Sequence, residues 1–120
     1  MVVDDSADLL HLIGIILKME GHESIPLTSP VELMQKIDEY NPDLIMLDIE
    51  MPRMDGYQLL ASLRALPAYR NLPVVMISSR SSEKHRQKAF DLGATDYLVK
   101  PYQEDQVISL IKHLVKEVTQ

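Results

Sequence analysis

A chain of 120 residues with 46% hydrophobic side chains has the size of one compact domain with a substantial core. Its formal net charge of −6 argues against nucleic-acid binding, which depends on Lys and Arg neutralising backbone phosphates. The chain has no cysteine, which excludes disulfides, thiol catalysis and thiolate metal sites, and no apolar run approaches the ~20 residues that span a bilayer. We therefore expect a cytoplasmic domain that binds no nucleic acid directly and does not insert into a membrane.

Short apolar runs alternate along the chain with longer segments of helical period, which predicts an α/β domain built on a parallel sheet. Five strands are predicted, at Met1–Val3, Glu23–Leu27, Asp43–Leu47, Pro73–Ser78 and Thr95–Val99. The third and fourth are continuous apolar runs, as expected of central strands that helices cover on both faces.

The first three predicted helices follow the first three strands. The first stops at Gly21 and carries one stripe of apolar residues for burial, namely Leu9, Leu12, Ile13, Ile16 and Leu17. The second begins at Ser29, with Pro30 in its first turn and Glu32 as the acidic member of a capping box. The third is predicted from Gly56 to about Leu66, with three leucines on one side, namely Leu59, Leu63 and Leu66.

The last two predicted helices differ sharply in apolar content. The fourth, Ser82 to Leu92, is rich in charged and polar residues, so we expect it to be held only lightly against the sheet. The fifth has apolar residues at helical spacing to the end of the chain, namely Val107, Leu110, Ile111, Leu114 and Val118.

Polar residues follow four of the predicted strands. Because parallel strands point the same way, the residues just past their ends gather at one edge, where open α/β sheets bind ligands. These residues are Asp4 and Asp5, Asp48, Ser78 and Ser79, and Lys100. Three carboxylates brought together repel one another unless a cation joins them, and oxygen-only ligands suit Mg²⁺. With a hydroxyl and an ammonium opposite, the set is typical of a phosphoryl-transfer site.

Four segments in this order and spacing carry a resemblance to a known family: Val2-Val3-Asp4-Asp5-Ser6, Leu47 to Gly56, Ile77-Ser78-Ser79, and Gly93 to Pro101. Over its whole length the chain resembles the receiver domain of two-component response regulators, of the chemotaxis-regulator kind. The resemblance implies a single doubly wound, five-stranded parallel sheet of flavodoxin-like order 2-1-3-4-5 with five helices. It also implies a signalling switch rather than an enzyme, catalysing only its own phosphoryl transfer and dephosphorylation.

The resemblance also assigns roles to individual residues. Asp48 is implied to be the phosphoacceptor. Asp5 is implied to bind Mg²⁺, or Mn²⁺ as a substitute, with help from Asp4, from Asp48 and from the backbone carbonyl of Glu50. Lys100 is implied to pair with Asp48 before phosphorylation and with a phosphoryl oxygen afterwards, and its bond to Pro101 is expected to be cis.

A conformational switch is implied as well. Ser78 would hydrogen-bond the phosphoryl group and move toward it, and Tyr97 would rotate into the space that opens. The readout would be the face formed by the fourth helix, fifth strand and fifth helix. The implied partners are a histidine kinase or phosphotransfer domain upstream and a downstream protein or attached output domain.

Two departures from the family pattern carry expectations of their own. Only three residues precede Asp4, whereas a strand usually has ~5 or 6, so we expect residues 1–120 to be a receiver domain excised from or part of a longer protein. Ser79 stands where many receivers have alanine, and we expect it to narrow access to the site. We further expect Glu50 and Arg80 to pair across the mouth of the site and to hinder attacking water.

Other interpretations of the same residues stay open. Asp4 and Asp5 are also suited to capping the first helix, since carboxylates favour helix N-termini. The chain could act as a docking module that is never phosphorylated. A phosphoaspartate-type phosphohydrolase is a further alternative, although such enzymes generally carry the nucleophile at the first strand and add a cap, which this chain lacks.

Overall fold

The computed structural model describes residues 1–51 and 54–115, and the predicted parallel sheet is present. Its strands are β1 Val2–Val3, β2 Pro26–Leu27, β3 Ile45–Asp48, β4 Val74–Ser78 and β5 Asp96–Val99. All neighbouring strands are parallel and their order is β2-β1-β3-β4-β5, which confirms the predicted fold. The strands are shorter than predicted, mainly at their amino-terminal ends. Every carboxyl end lies at the same edge of the sheet, where the candidate site forms.

Five helices connect and cover the strands, at α1 Ala7–Met19, α2 Pro30–Tyr40, α3 Gly56–Ala65, α4 Glu83–Asp91 and α5 Glu104–Leu114. A short antiparallel hairpin, Glu50–Met51 with Met54–Asp55, and a 3₁₀ turn at Pro67–Tyr69 were not predicted. Val118, placed by the sequence in the last helix, lies outside the described residues, as do Pro52 and Arg53 of the second family motif.

The sheet separates two apolar clusters because successive strand residues point to opposite faces. On one face, residues such as Leu47 and Met76 pack against α2, α3 and α4. On the other, Met46 and Val75 pack against α1 and α5. Both faces of the central strands are therefore buried, which accounts for their continuous apolar sequence.

The predicted apolar stripe of α1 was partly wrong. Ile13, Ile16 and Leu17 are buried as predicted, but Leu12 is 51% exposed and Leu10 is buried in its place. The helix is apolar on nearly every side, so the 3.6-residue period alone did not select the face that meets the sheet.

The predicted helix boundaries are largely confirmed. Ser29 caps α2 by accepting a hydrogen bond from the Val31 amide, with Pro30 in the first turn. The predicted capping-box glutamate, Glu32, accepts instead from the Thr28 hydroxyl. Gly21 follows α1 with a φ of +85°, a conformation that favours glycine.

The predicted apolar side of α3 holds for two of its three leucines. Leu59 and Leu63 are buried, whereas Leu66 follows the last helical residue and is exposed. At the start of the same helix, a Cβ on Gly56 would lie 2.8 Å from the Cα of Ile49, so only glycine allows α3 to begin this close to the end of β3.

Helix α4 is lightly anchored, as its sequence predicts. Ala89 is its one buried residue. In α5 the apolar residues divide between the buried Val107 and Ile111 and the half-buried Leu110 and Leu114. No described helix reaches the length and apolarity needed to cross a membrane.

Candidate functional site

Three aspartates meet at the carboxyl edge of the sheet. Asp4 and Asp5 follow β1 and Asp48 ends β3, and one carboxylate oxygen from each lies within 4.8 Å of the others. Three such groups repel one another when ionised, and an oxygen-only donor set of this kind suits a hard divalent cation such as Mg²⁺. The residues therefore fit the metal that the sequence implies. Asp4 Oδ2 is buried and has no hydrogen-bond partner, so this atom is also suited to bind a metal ion.

Asp48 is held at both carboxylate oxygens. Its Oδ1 accepts a hydrogen bond from the Glu50 amide at 2.9 Å, and its Oδ2 accepts one from Lys100 Nζ at 2.9 Å. The Asp48 side chain is only 1% exposed, so solvent barely reaches its carboxylate. The backbone carbonyl of Glu50, assigned to the metal by resemblance, remains a prediction.

Lys100 supplies the positive charge of the site. It follows β5, and its ammonium lies 2.9 Å from Asp48 and 3.8 Å from Asp4. Burial alone would lower the pKa of Lys100, but the hydrogen bond and the negative charge of Asp48, with that of Asp4, outweigh it and raise the pKa. The lysine is therefore firmly cationic where two carboxylates need a counter-charge. The Lys100–Pro101 bond is cis, as predicted.

The buried member of the acidic doublet is Asp4. Burial raises its pKa, and the charge of Asp48 adds to that effect, while a hydrogen bond from the Ser6 amide to Oδ1 opposes it. Ser6 itself caps α1 by accepting from the Leu9 amide. The helix does not need the aspartates as caps, which removes the capping interpretation. Asp5 is the exposed member of the cluster.

Ser78 ends β4 and is completely buried. Its hydroxyl accepts a hydrogen bond from the Arg80 amide at 3.0 Å. The Arg80 carbonyl in turn accepts one from the Tyr97 hydroxyl at 2.8 Å, and the Tyr97 ring is buried. One residue of the loop after β4 therefore connects the two predicted switch residues.

Glu50 and Ser79 join the loops that follow β3 and β4. The Glu50 carboxylate accepts from the Ser79 amide at 2.8 Å and from the Ser79 hydroxyl at 2.9 and 2.7 Å. These hydrogen bonds lower the pKa of the Glu50 carboxyl group, and the one from the Ser79 backbone amide has the largest effect. The predicted pair with Arg80 is also present at 3.7 Å, but it is largely exposed. Ser79, rather than Arg80, is the principal partner of Glu50.

Two tyrosines lie beneath α4, and the sequence pointed to only one of them. Tyr97 lies under Arg86, with 5.3 Å from the guanidinium carbon to the ring centroid, and Tyr57 lies under Lys88 at 4.4 Å. The Tyr57 hydroxyl also donates to the His85 carbonyl at 3.4 Å. These two cation–π contacts add to the limited apolar anchoring of α4. An aromatic residue directly after Asp55-Gly56 was the available sequence signal for Tyr57.

Tyr102 is a second residue that sequence reasoning missed. It lies two positions after Lys100, and burial together with the charges of Asp4 and Asp48 raises its pKa to about 12. The phenol is therefore neutral at physiological pH. The signal in the sequence was a polar aromatic directly following the Lys100-Pro101 motif.

Comparison with known proteins gives one consistent family. Residues 1–112 match the family model described as the response regulator receiver domain. Protein PilG of Pseudomonas aeruginosa is 33% identical over 119 residues, an alignment that covers 99% of this chain and 88% of PilG. Transcriptional regulatory protein PrrA of Mycobacterium tuberculosis is 35% identical over 116 residues, covering 97% of this chain but only 49% of PrrA.

A solved structure shows the same fold. Chemotaxis protein CheY4 of Vibrio cholerae superposes with a TM-score of 0.88 at 26% sequence identity, covering 94% of each chain. The chain thus corresponds to nearly all of PilG and CheY4 and to about half of PrrA.

Proposed function

Because the chain belongs to the response regulator receiver domain family, we propose that it accepts a phosphoryl group on Asp48 with the help of Mg²⁺ and changes conformation as a result. Receiver domains are signalling switches that interact with histidine kinases and output domains, and they typically bind Mg²⁺ in an acidic pocket. The observation that carries the proposal is the position of Asp48, between the Lys100 ammonium and the carboxylates of Asp4 and Asp5.

These positions support one order of bond changes for the proposed transfer. An Asp48 carboxylate oxygen attacks phosphorus, the new O–P bond forms, and the P–N bond of a phosphohistidine donor breaks with its electron pair remaining on the imidazole nitrogen. Lys100 leaves Asp48 for a phosphoryl oxygen, so its charge stays opposite the negative charge that the site gains. Bound Mg²⁺ would supply further neutralisation of carboxylate and phosphoryl oxygens, held by Asp5, Asp4 and Asp48.

Access to Asp48 is the main physical requirement. The Asp48 side chain is 1% exposed, and the contact between Glu50 and Ser79 joins the loops that a donor must approach. Opening this contact breaks partly exposed hydrogen bonds, each worth about 0.5–1.5 kcal/mol net, which is a small part of a typical transfer barrier. A donor protein that offers Glu50 or Ser79 new partners would lower that cost.

The proposed switch uses the connection through Arg80. If the Ser78 side chain rotates toward a phosphoryl oxygen and its oxygen moves away from the Arg80 amide, that amide loses its acceptor, and the loop that also holds the Tyr97 hydroxyl is released to move. The Tyr97 ring is already buried. Phosphorylation would therefore change the relative populations of conformations that share this buried ring. Since α4 has one buried residue, its displacement takes little free energy.

The readout we propose is the face formed by α4, β5 and α5. It would signal to a downstream protein or to an attached output domain, and the donor would be a histidine kinase or phosphotransfer domain. PrrA, of which the alignment covers 49%, is a transcriptional regulatory protein.

A docking module that is never phosphorylated is the second candidate, and the near-complete burial of Asp48 favours it. Incubation with a small acyl phosphate and Mg²⁺, followed by intact-mass measurement, separates the two. The wild type and the control Asp38→Asn, which changes an exposed residue of α2, should each gain one phosphoryl group, and Asp48→Asn should gain none. No gain in the wild type would favour docking.

A further inference from the structure

The Arg80 guanidinium is contacted on two sides, although the Arg80 side chain is 60% exposed. Its Nε lies 3.7 Å from Glu50 Oε2 at the mouth of the site. Its Nη1 lies 3.3 Å from Nε2 of His85, the half-buried third residue of α4. The sequence predicted the pair with Glu50 but not the contact with His85. Because a long exposed side chain loses rotamer entropy when it pairs, a second contact that restricts it favours the first.

Only one form of the His85 ring fits these neighbours. A guanidinium donates hydrogen bonds and accepts none, so Nε2 must be unprotonated to accept from Arg80. The proton of the neutral ring is then on Nδ1, which is within hydrogen-bond distance of the Ser82 hydroxyl. Because a serine hydroxyl both donates and accepts, Ser82 fits either form of the ring. Arg80 is therefore the neighbour that selects the Nδ1–H form.

The His85 side chain and backbone are each held by a neighbour. Ser82 is the N-cap of α4, but its hydroxyl makes no capping bond to the backbone and contacts the His85 ring instead. A serine at this position ordinarily accepts from an amide of the first turn. The His85 carbonyl accepts from the hydroxyl of Tyr57, on α3, at 3.4 Å. The ring is thus a fixed support for a side chain that is itself largely exposed.

We propose that His85 is a positioning residue for Arg80. Its Nε2 accepts from Nη1 and so keeps the Nε side of the guanidinium next to Glu50, where the pair hinders attacking water. This inference rests on the proposed function, because hindering water has a consequence only when Asp48 carries a phosphoryl group. It adds a residue of α4 to the groups that set the lifetime of the phosphorylated form.

Two substitutions separate the contacts of the ring. In His85→Gln the amide oxygen reaches the position of Nε2 and keeps an acceptor for Arg80. In His85→Asn the shorter side chain reaches only the position of Nδ1 and keeps the contact with Ser82. The control is His113→Asn, which changes an exposed histidine in the last turn of α5.

The assay measures how long the phosphoryl group stays on the protein. Each protein is phosphorylated with a small acyl phosphate and Mg²⁺, the donor is removed, and the decay is followed by intact mass at about pH 8, where an ordinary imidazole is neutral. We expect His85→Asn to shorten the lifetime about two- to threefold, while His85→Gln and the control stay close to the wild type. Combined with Arg80→Ala, His85→Asn should have no further effect, because the ring then has no guanidinium to position.

Three results would refute the role of His85 and leave the proposed function intact. They are a wild-type lifetime in His85→Asn, equal shortening in His85→Asn and His85→Gln, and an undiminished effect of His85→Asn when Arg80 is already alanine. A wild type that gains no phosphoryl group would instead refute the proposed function, and the kinetic role of His85 with it.

A measurement on the unphosphorylated wild type tests the contact itself. NMR of the imidazole nitrogens distinguishes a protonated from an unprotonated ring nitrogen, and at about pH 8 we expect His85 to carry its proton on Nδ1. Arg80→Ala should increase the share of the Nε2–H form and leave the His113 signals unchanged. A His85 ring with its proton on Nε2 in the wild type would overturn the proposal.

Discussion

Replacing Lys100 with methionine removes the only ammonium in contact with the acidic cluster among the described residues. Lys100 lies 2.9 Å from Asp48 and 3.8 Å from Asp4, and both carboxylate side chains are 1% exposed. The Lys100→Met variant keeps most of the apolar length of the side chain but leaves two buried carboxylates without their cation. We expect it to be markedly less stable than the wild type in the absence of Mg²⁺.

The size of the effect follows from burial. Removing one partner of a buried ion pair costs about 3–5 kcal/mol, but Lys100 is 22% exposed and water screens part of the interaction, so about 2–3 kcal/mol is expected. At about 4 °C per kcal/mol for a domain of this size, the Tm should fall by about 8–12 °C. Saturating Mg²⁺ should restore part of the loss, because a bound cation takes over the role of the ammonium.

Thermal and urea unfolding, each with and without MgCl₂, measure this effect. The control is Lys112→Met, which removes a surface pair with Glu20 at 3.7 Å and should change stability by no more than about 0.5 kcal/mol. The reasoning is refuted if Lys100→Met melts with the wild type in Mg²⁺-free buffer. It is also refuted if Mg²⁺ stabilises that variant no more than it stabilises the wild type.

Three further predictions concern the contact at the mouth of the site. Ser79→Ala removes the hydroxyl bonds to Glu50 and should speed phosphorylation by a small acyl phosphate about two- to tenfold. The control is Ser62→Ala, which changes an exposed serine on α3. Equal phosphorylation rates in the two variants would contradict a gating role for Ser79. Arg80→Ala removes an exposed pair worth about 0–1 kcal/mol and should shorten the lifetime of the phosphorylated form by up to about fivefold, whereas an unchanged lifetime refutes the hindrance of water. The hydrogen bonds from Ser79 lower the pKa of Glu50 below its ordinary value of 4.5. The ionised Glu50 carboxylate therefore stabilises the folded state above pH 4.5, and this stabilisation is lost as the pH falls through the lowered pKa. The stability difference between wild type and Glu50→Gln should therefore shrink below pH 4.5 in urea titrations, and a constant difference would contradict this.

The sheet was predictable from sequence because its strongest signals are local and redundant. Runs such as the first four residues of β4 are apolar and buried on both faces, and glycine and proline mark the turns between elements. The placement of Asp48 and Lys100 at one edge then follows from the common direction of parallel strands.

Other features depend on contacts that no local pattern records. Leu12 is exposed because α1 offers more than one apolar face, and only packing against the sheet selects between them. Glu50 bonds to Ser79 across 29 positions of sequence, whereas the opposite charge of Arg80 was the partner that the sequence suggested. The sequence did not single out Tyr102, whose hydroxyl is buried without a hydrogen-bond partner, a property that only the folded structure shows.

The most direct measurement of the central claim identifies the residue that carries the phosphoryl group. The chain is phosphorylated with a small acyl phosphate and Mg²⁺, the acyl phosphate on the protein is trapped by borohydride reduction, and the digested peptides are mapped by mass spectrometry. We predict a single reduced position at Asp48, formed only when Mg²⁺ is present. Modification at Asp4, Asp5 or another carboxylate, or equal modification after the metal is chelated, would contradict the account.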